Sequence, residues 1–564
     1  MNIADEYDAI VLGAGAGGMT AAAVAAAEGL RVLLIEKSAQ VGGTTAVSGG
    51  MVWVPANAKM AQAGIVDTLE QAQLYLRQSV PGSVNEHLRS RFLASADAAI
   101  AYLERKTSVR LKPVGNYPDY YPDLPGATRG GRVLEPVPFD GRMLGENFRL
   151  LRQPLPEFML FGGMMIDRAD IPHFRRAGRS LLAASRVARL IARYGWQRLF
   201  ADRGTSLYLG NALAARLLHS LLRLHVELAL STEVAGLTYE NGKVAGVAIA
   251  RGRNGEAGRK DIRACKGVVL ATGGFSQDPR MRARYLPAGA GILSAACASN
   301  AGDGLRLGIA AGGSMCEGNA DNAFWTPVSR LDRHDGSQGV FPHTVTDRGK
   351  PGVVAVNGRG CRFTNEAQSY HEFVRAMFRG DNEGPCIPAY LICDRRFLWR
   401  YGLGAVKPFA LSIGAHVRGG YLVRGPTIGA LAARLGIDPE TLAATVARYN
   451  DGARRGIDPE FGRGGDVYQR YLGDADHGPN PCVAPIEHPP FYAVALYPGD
   501  LGTAAGLLTD EDARVLDGAG TPIENLYACG NDMNSIMNGA YPGPGITLGP
   551  ALTFGYLAAK HMAG

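Results

Sequence analysis

The feature that most constrains the fold is a strand–loop–helix–strand pattern near the start of the chain. Residues 8–12 (DAIVL) predict a buried strand, and residues 13–18 (GAGAGG) follow it with glycines at all three positions of G-x-G-x-x-G. An alanine-rich helix comes next, and residues 31–35 (RVLLI) predict a second strand that ends at Glu36. In this order the glycines admit a pyrophosphate at a helix N-terminus, and the acid binds a ribose hydroxyl. The pattern therefore predicts a Rossmann-like, dinucleotide-binding unit.

A second cluster of glycines and hydroxyl side chains occupies residues 41–53 (VGGTTAVSGGMVW). An NAD enzyme does not need this cluster, whereas FAD extends further from the first loop, and its second phosphate and ribitol need more donors. A surface turn is the simpler alternative for residues of these types. The sequence holds no second G-x-G-x-x-G, so no NAD(P) domain is expected. Because the first histidine, His87, comes well after the cluster, the FAD is expected to be non-covalent.

Later segments return to the same nucleotide-binding unit. Residues 236–250 alternate in polarity around an Asn-Gly pair, which predicts a hairpin. Residues 267–275 (GVVLATGGF) predict another buried strand that runs into a glycine turn, and residues 524–532 (ENLYACGND) predict a further strand and turn. Asp303 is a candidate helix N-cap close to the cofactor. These segments predict that widely separated parts of the chain meet in one sheet.

The predicted fold class is α/β, with a Rossmann-like FAD-binding domain of the glutathione-reductase-like βαβ type and an inserted α+β catalytic domain. Residues 1–298 are predicted to form the first part of the FAD-binding domain, with a helical, Arg-rich insert at about 67–205. Residues 299–495 are predicted to form the catalytic domain. Residues 496–564 complete the FAD-binding domain. The chain length of 564 residues suits this organisation.

The loop at 541–550 (YPGPGITLGP) combines a tyrosine with glycines and prolines and leads into an apolar stretch that predicts a helix. Pro550 suits the first helical turn, where its missing N–H is not needed. A helix N-terminus of this kind directs N–H groups and positive dipole at an electron-rich ligand. The loop is therefore expected to hold a flavin ring with its helix end and a substrate carbonyl with Tyr541 and Gly545.

Positive charge is concentrated in residues 149–203, which hold 11 arginines against 4 acids. Within this segment, residues 174–200 predict a basic amphipathic helix. Such a helix can contact an anionic membrane surface, and it can also be an ordinary solvated helix. Nucleic acid is not an expected partner, because no recognised nucleic-acid-binding module accompanies the charge.

The cysteines and the first residues favour a cytoplasmic location. The eight cysteines are scattered without a C-x-x-C pair, which indicates neither a metal site nor a redox dithiol. The first residues are acidic and lead directly into a strand, so a signal peptide is not expected. No uncharged apolar run reaches the roughly 20 residues of a membrane span. The expected location is the cytoplasm, with the inner membrane face as a second option through residues 174–200.

The order of these motifs resembles that of the FAD-dependent 3-ketosteroid Δ1-dehydrogenases, a branch of the fumarate reductase/succinate dehydrogenase-like flavoproteins. The resemblance covers nearly the whole chain. The motifs that carry it are GAGAGG with Glu36-Lys37, VGGTTAVSGG, YPDYYPDLPG, ATGGF, NGRGCRFTNEAQSY, YPGDLGTAAGL, ACGND and YPGPGITLGPALTFGYLAA. The tyrosine-bearing motifs are the specific ones, whereas the glycine-rich motifs mark the larger flavoprotein group. The long Arg-rich insert is where the chain departs most from a minimal family member.

The resemblance implies a role for each of these residues. Tyr370 corresponds to the catalytic base, and Tyr541 with the N–H of Gly545 corresponds to the clamp on the ketone oxygen. The residue that supports the base corresponds to Tyr121, or to its neighbour Tyr120. The family's Δ4-(5α) relatives lack the YPGPG loop, which favours 1,2-desaturation here. The predicted flavin-binding residues are Gly13, Gly15, Ala16, Gly17, Gly18, Glu36, Lys37, Ser38, Gly43, Thr44, Thr45, Ser48, Gly49, Gly50, Val234, Ala271, Thr272, Gly273, Asp303, Gly530, Asn531, Ile546 and Leu548.

The expected chemistry removes a proton and a hydride from adjacent carbons beside a ketone. A hydrogen bond from Tyr121 to Tyr370 is expected to lower the pKa of the base, since a free tyrosine at about 10 is a poor base at pH 7. His371 is a rival base because it adjoins Tyr370. No metal is required. The expected partners are a hydrophobic 3-ketosteroid and an external, quinone- or dye-like electron acceptor.

Three other functions stay open at this stage. The first is desaturation of another cyclic ketone or of a bile-acid-like 3-ketone. The second is a fumarate-reductase-like ene reductase, which needs several Arg and His side chains around the flavin to hold two carboxylates. The third is a flavin-binding lipid carrier without turnover.

Overall fold

A computed structural model of the chain describes residues 3–251, 258–288, 291–333, 335–383 and 385–564. In these residues the strands are β1 (Glu6–Leu12), β2 (Val32–Glu36), β3 (Val52–Trp53), β4 (Leu111–Pro113), β5 (Val133–Pro136), β6 (Phe139–Asp140), β7 (Ser206–Leu207), β8 (Glu227–Leu230), β9 (Val234–Glu240), β10 (Lys243–Arg251), β11 (Gly258–Leu270), β12 (Leu293–Ser294), β13 (Ala323–Asp332), β14 (Gln338–Pro342), β15 (Val353–Val356), β16 (Ala389–Asp394), β17 (Val423–Gly425), β18 (Phe491–Thr503), β19 (Arg514–Leu516) and β20 (Pro522–Ala528).

Within the same described ranges the α-helices are α1 (Ala16–Ala27), α2 (Gly43–Val47), α3 (Ala58–Gln62), α4 (Leu69–Ser79), α5 (Glu86–Lys106), α6 (Ile171–Arg176), α7 (Leu181–Gln197), α8 (Leu209–Arg223), α9 (Pro279–Tyr285), α10 (Asp303–Ala310), α11 (Tyr370–Glu383), α12 (Arg395–Tyr401), α13 (Gly414–Arg418), α14 (Ile428–Leu435), α15 (Pro439–Ala453), α16 (Val467–Leu472) and α17 (Leu548–Ala563).

The first sheet is built around β1, whose apolar run IVL is fully buried. Its path is β19-β20-β11-β1-β2-β8, and β10 and β9 extend it from β11. β1 runs parallel to both neighbours, so that Leu12 lies beside Ile35 of β2 and Leu270 of β11. The carboxyl ends of three parallel strands therefore meet at one edge, where the glycine loop begins. The predicted Rossmann-like βαβ unit, the hairpin at the Asn-Gly pair and the late return of 524–532 to this sheet are confirmed.

The second sheet follows the path β14-β13-β18-β16-β15, with β12 and β17 paired to β18. Its long central strand, β18, is antiparallel to β13 and β16. Because β18 spans residues 491–503, it crosses the predicted boundary at 495. Helices α11 to α16 lie between β15 and β18 in the chain, so the predicted α+β character of this part agrees with the structure. The exact domain boundaries stay a prediction.

The predicted insert holds the long helices α4, α5 and α7. The predicted helix over 174–200 is divided into α6 and α7 by residues 177–180. Ser180 ends the break, because its side chain accepts a hydrogen bond from the N–H of Ala183 and so caps α7. Throughout the described ranges, every helix is too short or too polar to cross a bilayer.

Asp303 was predicted to be a helix N-cap, and this prediction is wrong. The N-cap of α10 is Gly302, whose φ of +76° suits a glycine. Asp303 is the first residue of the helix itself, and its carboxylate forms ion pairs with Lys37 and Arg306. The acid still favours the helix, because a negative charge in the first turn complements the helix dipole.

Candidate active site

A cavity of about 1300 Å³ connects the glycine loop after β1 with the Arg-rich insert. At one end it is lined by residues 13–17 and by the glycine and hydroxyl cluster at 43–50. Tyr120, Tyr370 and Tyr541, which come from three separate segments, are among the tyrosines that also line it. Residues 154–176 and 470–476 line a further part. The cavity is large enough to hold both an extended cofactor and a substrate of several rings.

The glycine loop leaves room for a phosphate group at the start of α1. A Cβ on Gly13 would lie 2.3 Å from the carbonyl oxygen of Ala271, and the φ of +103° there also demands glycine. At Gly15 nothing lies within 4 Å of the same added atom, and no side chain caps α1. Glu36 accepts a hydrogen bond of 2.9 Å from the N–H of Ala14, which holds the carboxylate beside this space. The donors and the free space fit a dinucleotide pyrophosphate.

The cluster at 43–50 is part of the cavity wall, so the alternative of a surface turn is wrong. Thr45 accepts a hydrogen bond of 3.1 Å from the N–H of Ala16 and thereby joins the cluster to the glycine loop. Thr44 accepts bonds of 3.0 Å from the N–H of Cys297 and from the side chain of Asn300. The two glycine-rich stretches thus form one continuous surface that fits FAD.

Most of the predicted flavin-binding residues share the cavity wall. Those that line it are Gly13, Gly15, Ala16, Gly17, Glu36, Gly43, Thr44, Thr45, Ser48, Gly49, Gly50, Ala271, Thr272, Gly273, Gly530, Asn531 and Leu548. Those outside the lining are Gly18, Lys37, Ser38, Val234, Asp303 and Ile546. In the second group, Lys37 and Asp303 pair with each other. Ser38 donates its N–H to Glu36 at 2.8 Å, so it orients a lining residue without lining the cavity itself.

Three tyrosine rings of the cavity lining contact one another. Tyr370 is the first residue of α11, Tyr541 lies in the loop before α17, and Tyr120 lies in the loop before β5. The ring centres are 5.1 Å apart for Tyr370 and Tyr541, 5.6 Å for Tyr120 and Tyr370, and 5.7 Å for Tyr120 and Tyr541. The Tyr120 hydroxyl donates a hydrogen bond of 3.0 Å to the Tyr370 hydroxyl. The Tyr541 hydroxyl interacts with those of Tyr370 and Thr547. The predicted proximity of Tyr370 and Tyr541 is therefore present.

The structure corrects the choice between Tyr120 and Tyr121. Tyr121, the preferred sequence-based choice, donates its hydroxyl hydrogen bond to Glu372 at 2.9 Å and does not line the cavity. The hydroxyls of the two neighbours thus bond to different partners, Tyr120 to Tyr370 and Tyr121 to Glu372. The N–H of Tyr120 donates to the carbonyl oxygen of Pro542 at 2.9 Å, which places the Tyr120 ring against Tyr541. The contact with Tyr370 that was predicted for Tyr121 is thus made by Tyr120.

A fully buried polar anchor holds the Tyr120 loop in place. Asp119 accepts hydrogen bonds from the indole N–H of Trp53 at 2.9 Å and from Arg132 at 2.8 Å. Arg132 also pairs with Asp67 at 2.7 Å, and none of these charged groups is more than 1% exposed. Buried charges need such partners, because an unpaired one would lose its hydration without compensation. The anchor fixes the residue directly before Tyr120.

Burial dominates the ionisation of the tyrosine cluster. It raises the pKa of Tyr370 well above the ordinary value, and the nearby Tyr541 and Tyr117 add to the rise. The hydrogen bond from Tyr120 acts in the opposite direction but does not outweigh burial. Burial likewise raises the pKa of Tyr541 to about 12, although hydrogen bonds with Tyr370 and Thr547 oppose it. A hydrogen bond from the neighbouring tyrosine thus lowers the pKa of Tyr370 in the expected direction, but the donor is Tyr120, and desolvation outweighs it because burial penalises the phenolate more than one donor stabilises it.

His371, the rival base, faces away from the cavity. Its ring is fully buried and does not line the cavity. The Nδ1 atom accepts a hydrogen bond of 3.2 Å from the N–H of Trp325, and Nε2 lies 3.4 Å from a carboxylate oxygen of Asp321. Because Nδ1 is engaged by Trp325 and the ring does not line the cavity, the geometry favours Tyr370 over His371 as the base.

Several lining residues were not predicted. Tyr117 lines the cavity, with its ring centre 4.5 Å from that of Tyr471. The insert contributes apolar side chains to the wall, including Phe158, Met165 and Phe174. The available signal was the apolar content of the Arg-rich segment; of these three residues only Phe174 lies within the predicted amphipathic helix at 174–200.

The chain has relatives over nearly its whole length. Residues 8–548 match the family described as FAD binding domain. The chain is 38% identical over 560 residues to a 4-oxocyclohex-2-ene-1-carboxylate 5-dehydrogenase of Sinomonas cyclohexanicum, covering 99% of this chain and 93% of that protein. It is 36% identical over 566 residues to a 3-oxosteroid 1-dehydrogenase of Mycobacterium tuberculosis, covering 99% and 98%. The crystal structure of a 3-ketosteroid Δ1-dehydrogenase from Sterolibacterium denitrificans, in complex with 1,4-androstadiene-3,17-dione, superposes with a TM-score of 0.91 at 39% identity, covering 99% of this chain and 100% of that chain.

Proposed function

Since the chain belongs to the FAD-dependent 3-ketosteroid Δ1-dehydrogenase family, within the fumarate reductase/succinate dehydrogenase-like flavoproteins, we propose that it introduces a C1–C2 double bond into ring A of 3-ketosteroids. The observation that carries this proposal is the tyrosine cluster. Tyr120, Tyr370 and Tyr541 contact one another in a cavity that also contains the FAD-binding glycine loops.

In the proposed reaction, Tyr541 and the N–H of Gly545 donate hydrogen bonds to the C3 ketone oxygen. Polarising this oxygen makes the proton on C2 more acidic, and one donor of this kind typically contributes about 3 kcal/mol to transition-state stabilisation. Tyr370 then accepts the C2 proton as the general base. Tyr120 donates to the Tyr370 oxygen and stabilises the phenolate. Bound FAD supplies the acceptor for the hydride that leaves C1.

The surroundings of the cluster favour a hydrophobic ketone over a dicarboxylate. The Tyr541 ring packs against Tyr120, Phe324 and Tyr370, and the one neighbouring imidazole faces Asp321. A fumarate-reductase-like activity would need cations at this place to hold two carboxylates. The family also includes dehydrogenases named for oxocyclohexane and oxocyclohexene carboxylates, which makes small cyclic ketones the second candidate substrate class.

The test is anaerobic reduction of the bound flavin. Purified protein loaded with FAD is mixed with androst-4-ene-3,17-dione, and in parallel with 4-oxocyclohexanecarboxylate. We expect the steroid to bleach the flavin absorbance and to yield the 1,4-diene. The Tyr370→Phe variant should keep the flavin spectrum yet fail to bleach it. If no 3-ketosteroid reduces the flavin, the proposal is rejected, and normal bleaching in the variant rejects Tyr370 as the base. A protein that binds steroid without bleaching would be a carrier.

We also propose peripheral contact of the insert with an anionic membrane surface, where a quinone-like acceptor is available. Large apolar side chains at both ends of α7 face solvent, with Leu181 exposed by 91%, Trp196 by 64% and Phe200 by 75%. The arginines of the same segment complement anionic headgroups. Sedimentation with phosphatidylglycerol vesicles tests this contact. Binding should weaken when Leu181 and Phe200 are both changed to Gln, and binding that is absent in the wild type or unchanged in this variant refutes it.

A further inference from the structure

One part of the cavity wall carries positive charge that the proposed ketone chemistry does not use. Arg175 and Lys350 line this part together with Tyr401 and Asp474. We call these four residues the basic pocket. Arg175 comes from α6, Lys350 from the loop before β15, Tyr401 from the end of α12 and Asp474 from the segment after α16. Their convergence from four separate segments produces a polar patch in a wall that is otherwise rich in apolar side chains.

The carboxylate of Asp474 is already shared among several donors. It pairs with Arg400 at 2.7 Å and accepts a hydrogen bond of 2.7 Å from the hydroxyl of Tyr401. The guanidinium of Arg175 lies 4.0 Å from Asp474, at the limit of an ion pair, and rests over the Tyr401 ring. Because two arginines compete for one acid, Arg175 keeps donor capacity for another anion.

Lys350 adds a third cation without adding a carboxylate. Its ammonium donates hydrogen bonds to the carbonyl oxygens of Leu472 and Gly473, the latter at 2.7 Å, at the end of α16. Burial, with the nearby charge of Arg175, lowers the pKa of Lys350 to about 8. Three cations, Arg175, Lys350 and Arg400, therefore lie around Asp474, while the neighbouring lining carboxylates are already engaged, Asp476 by Arg176 and Asp347 by His343. An anion placed here would be attracted by the surplus charge and would be partly shielded from water.

The wall near the basic pocket suits a hydrophobic ring system. Residues 154–176 and 403–409 contribute mainly apolar side chains to the cavity, including Phe158, Met165 and Phe174. A substrate in this cavity can therefore have a polar group, a ring system and a charged group that each contact a different type of lining residue. Its ketone meets the tyrosine cluster, its rings meet the apolar wall, and a terminal anion meets the basic pocket.

We propose that the substrate class is 3-ketosteroids whose side chain ends in a carboxylate, and that Arg175 and Lys350 bind this carboxylate. The proposal rests on the proposed Δ1-dehydrogenase function and adds the group at the other end of the substrate. Arg175 is the residue that determines this preference. Lys350 also caps the carboxyl end of α16, so its removal would disturb the fold.

The experiment compares an acid with its own methyl ester, since the two share shape and ring chemistry. FAD-loaded protein is assayed with 3-oxochol-4-en-24-oic acid, its methyl ester and androst-4-ene-3,17-dione, with an artificial electron acceptor. We expect the KM of the acid to be about tenfold below that of the ester, because one charge-assisted hydrogen bond to the carboxylate contributes roughly that difference in affinity. Raising the ionic strength should reduce the ratio of the ester's KM to the acid's KM. Arg175→Gln should make the two KM values equal. Arg179→Gln removes the same charge from an exposed position of the same segment outside the cavity lining, and it should keep the ratio.

The outcomes separate this inference from the proposed function. If none of the three steroids is desaturated, the proposed function fails. If the ester and the dione are desaturated and the acid has an equal or higher KM than the ester, only the carboxylate inference fails. An acid preference that Arg175→Gln and Arg179→Gln reduce equally would come from net charge alone and would overturn the assignment to Arg175.

Discussion

The choice between two neighbouring tyrosines can be tested by removing one hydroxyl at a time. In the structure, the Tyr120 hydroxyl donates to that of Tyr370, the proposed base, at 3.0 Å, and both residues are only 5% exposed. Tyr120→Phe removes this donor and keeps the ring, so the packing against Tyr541 is retained. A hydrogen bond to a charged acceptor is typically worth about 1.5–3 kcal/mol, which here favours the phenolate of Tyr370. One pKa unit corresponds to about 1.4 kcal/mol, so the pKa of Tyr370 should rise by about 1–2 units.

The assay is the rate of flavin reduction by androst-4-ene-3,17-dione, measured anaerobically between pH 7 and pH 10. Burial already places the pKa of Tyr370 above this range, so the reactive phenolate fraction should increase with pH in the wild type. In Tyr120→Phe we expect a rate about 10- to 100-fold lower at every pH, with the same upward slope, as the shift of the pKa requires.

Tyr121→Phe is the matched control, because it removes the adjacent hydroxyl, which bonds to Glu372 outside the cavity. Its rate should stay close to that of the wild type. The opposite result, a large loss in Tyr121→Phe with a small one in Tyr120→Phe, would refute the reasoning. A decrease of the wild-type rate as the pH rises would instead refute Tyr370 phenolate as the base.

Three further substitutions test other parts of the site. Tyr541→Phe removes one donor to the ketone oxygen and should lower kcat about 100-fold with little change in flavin content, as expected for one oxyanion-type donor; an unchanged kcat would contradict the clamp. Gly545→Ala places a Cβ 2.5 Å from the carbonyl oxygen of Met51 at a φ of +94°, so we expect a lower melting temperature and less bound flavin, and a normal protein would refute this close packing. Arg132→Met breaks a fully buried ion-pair cluster and should cost about 3–5 kcal/mol of unfolding free energy in denaturant, whereas Arg129→Met, at an exposed position, should cost little.

The parts of the fold that the sequence predicted depend on local patterns. The run from β1 through the glycine loop to Glu36 is recognisable because each step has its own local requirement: an apolar strand, glycines at a crowded turn and an acid at a strand end. The hairpin between β9 and β10 is recognisable because Asn241 and Gly242 both adopt positive φ, as the residue types predicted. The central strand β18 was not predicted, because its pairing with β13, β16, β12 and β17 is decided by distant residues.

The site shows the same limit at the level of single side chains. In the YPDYYPD stretch, no periodicity distinguishes Tyr120 from Tyr121, since the loop has no regular secondary structure. The distinction comes from two contacts distant in sequence: the Asp119 anchor on Trp53 and Arg132, and the bond from the Tyr120 N–H to the carbonyl oxygen of Pro542. The second contact joins the loop that contains Tyr120 to the loop that contains Tyr541. A shift of the clamp loop would therefore also move Tyr120 relative to Tyr370. In the proposed mechanism, proton removal and carbonyl polarisation are therefore coupled, and a substitution that displaces the backbone of either loop should affect both steps.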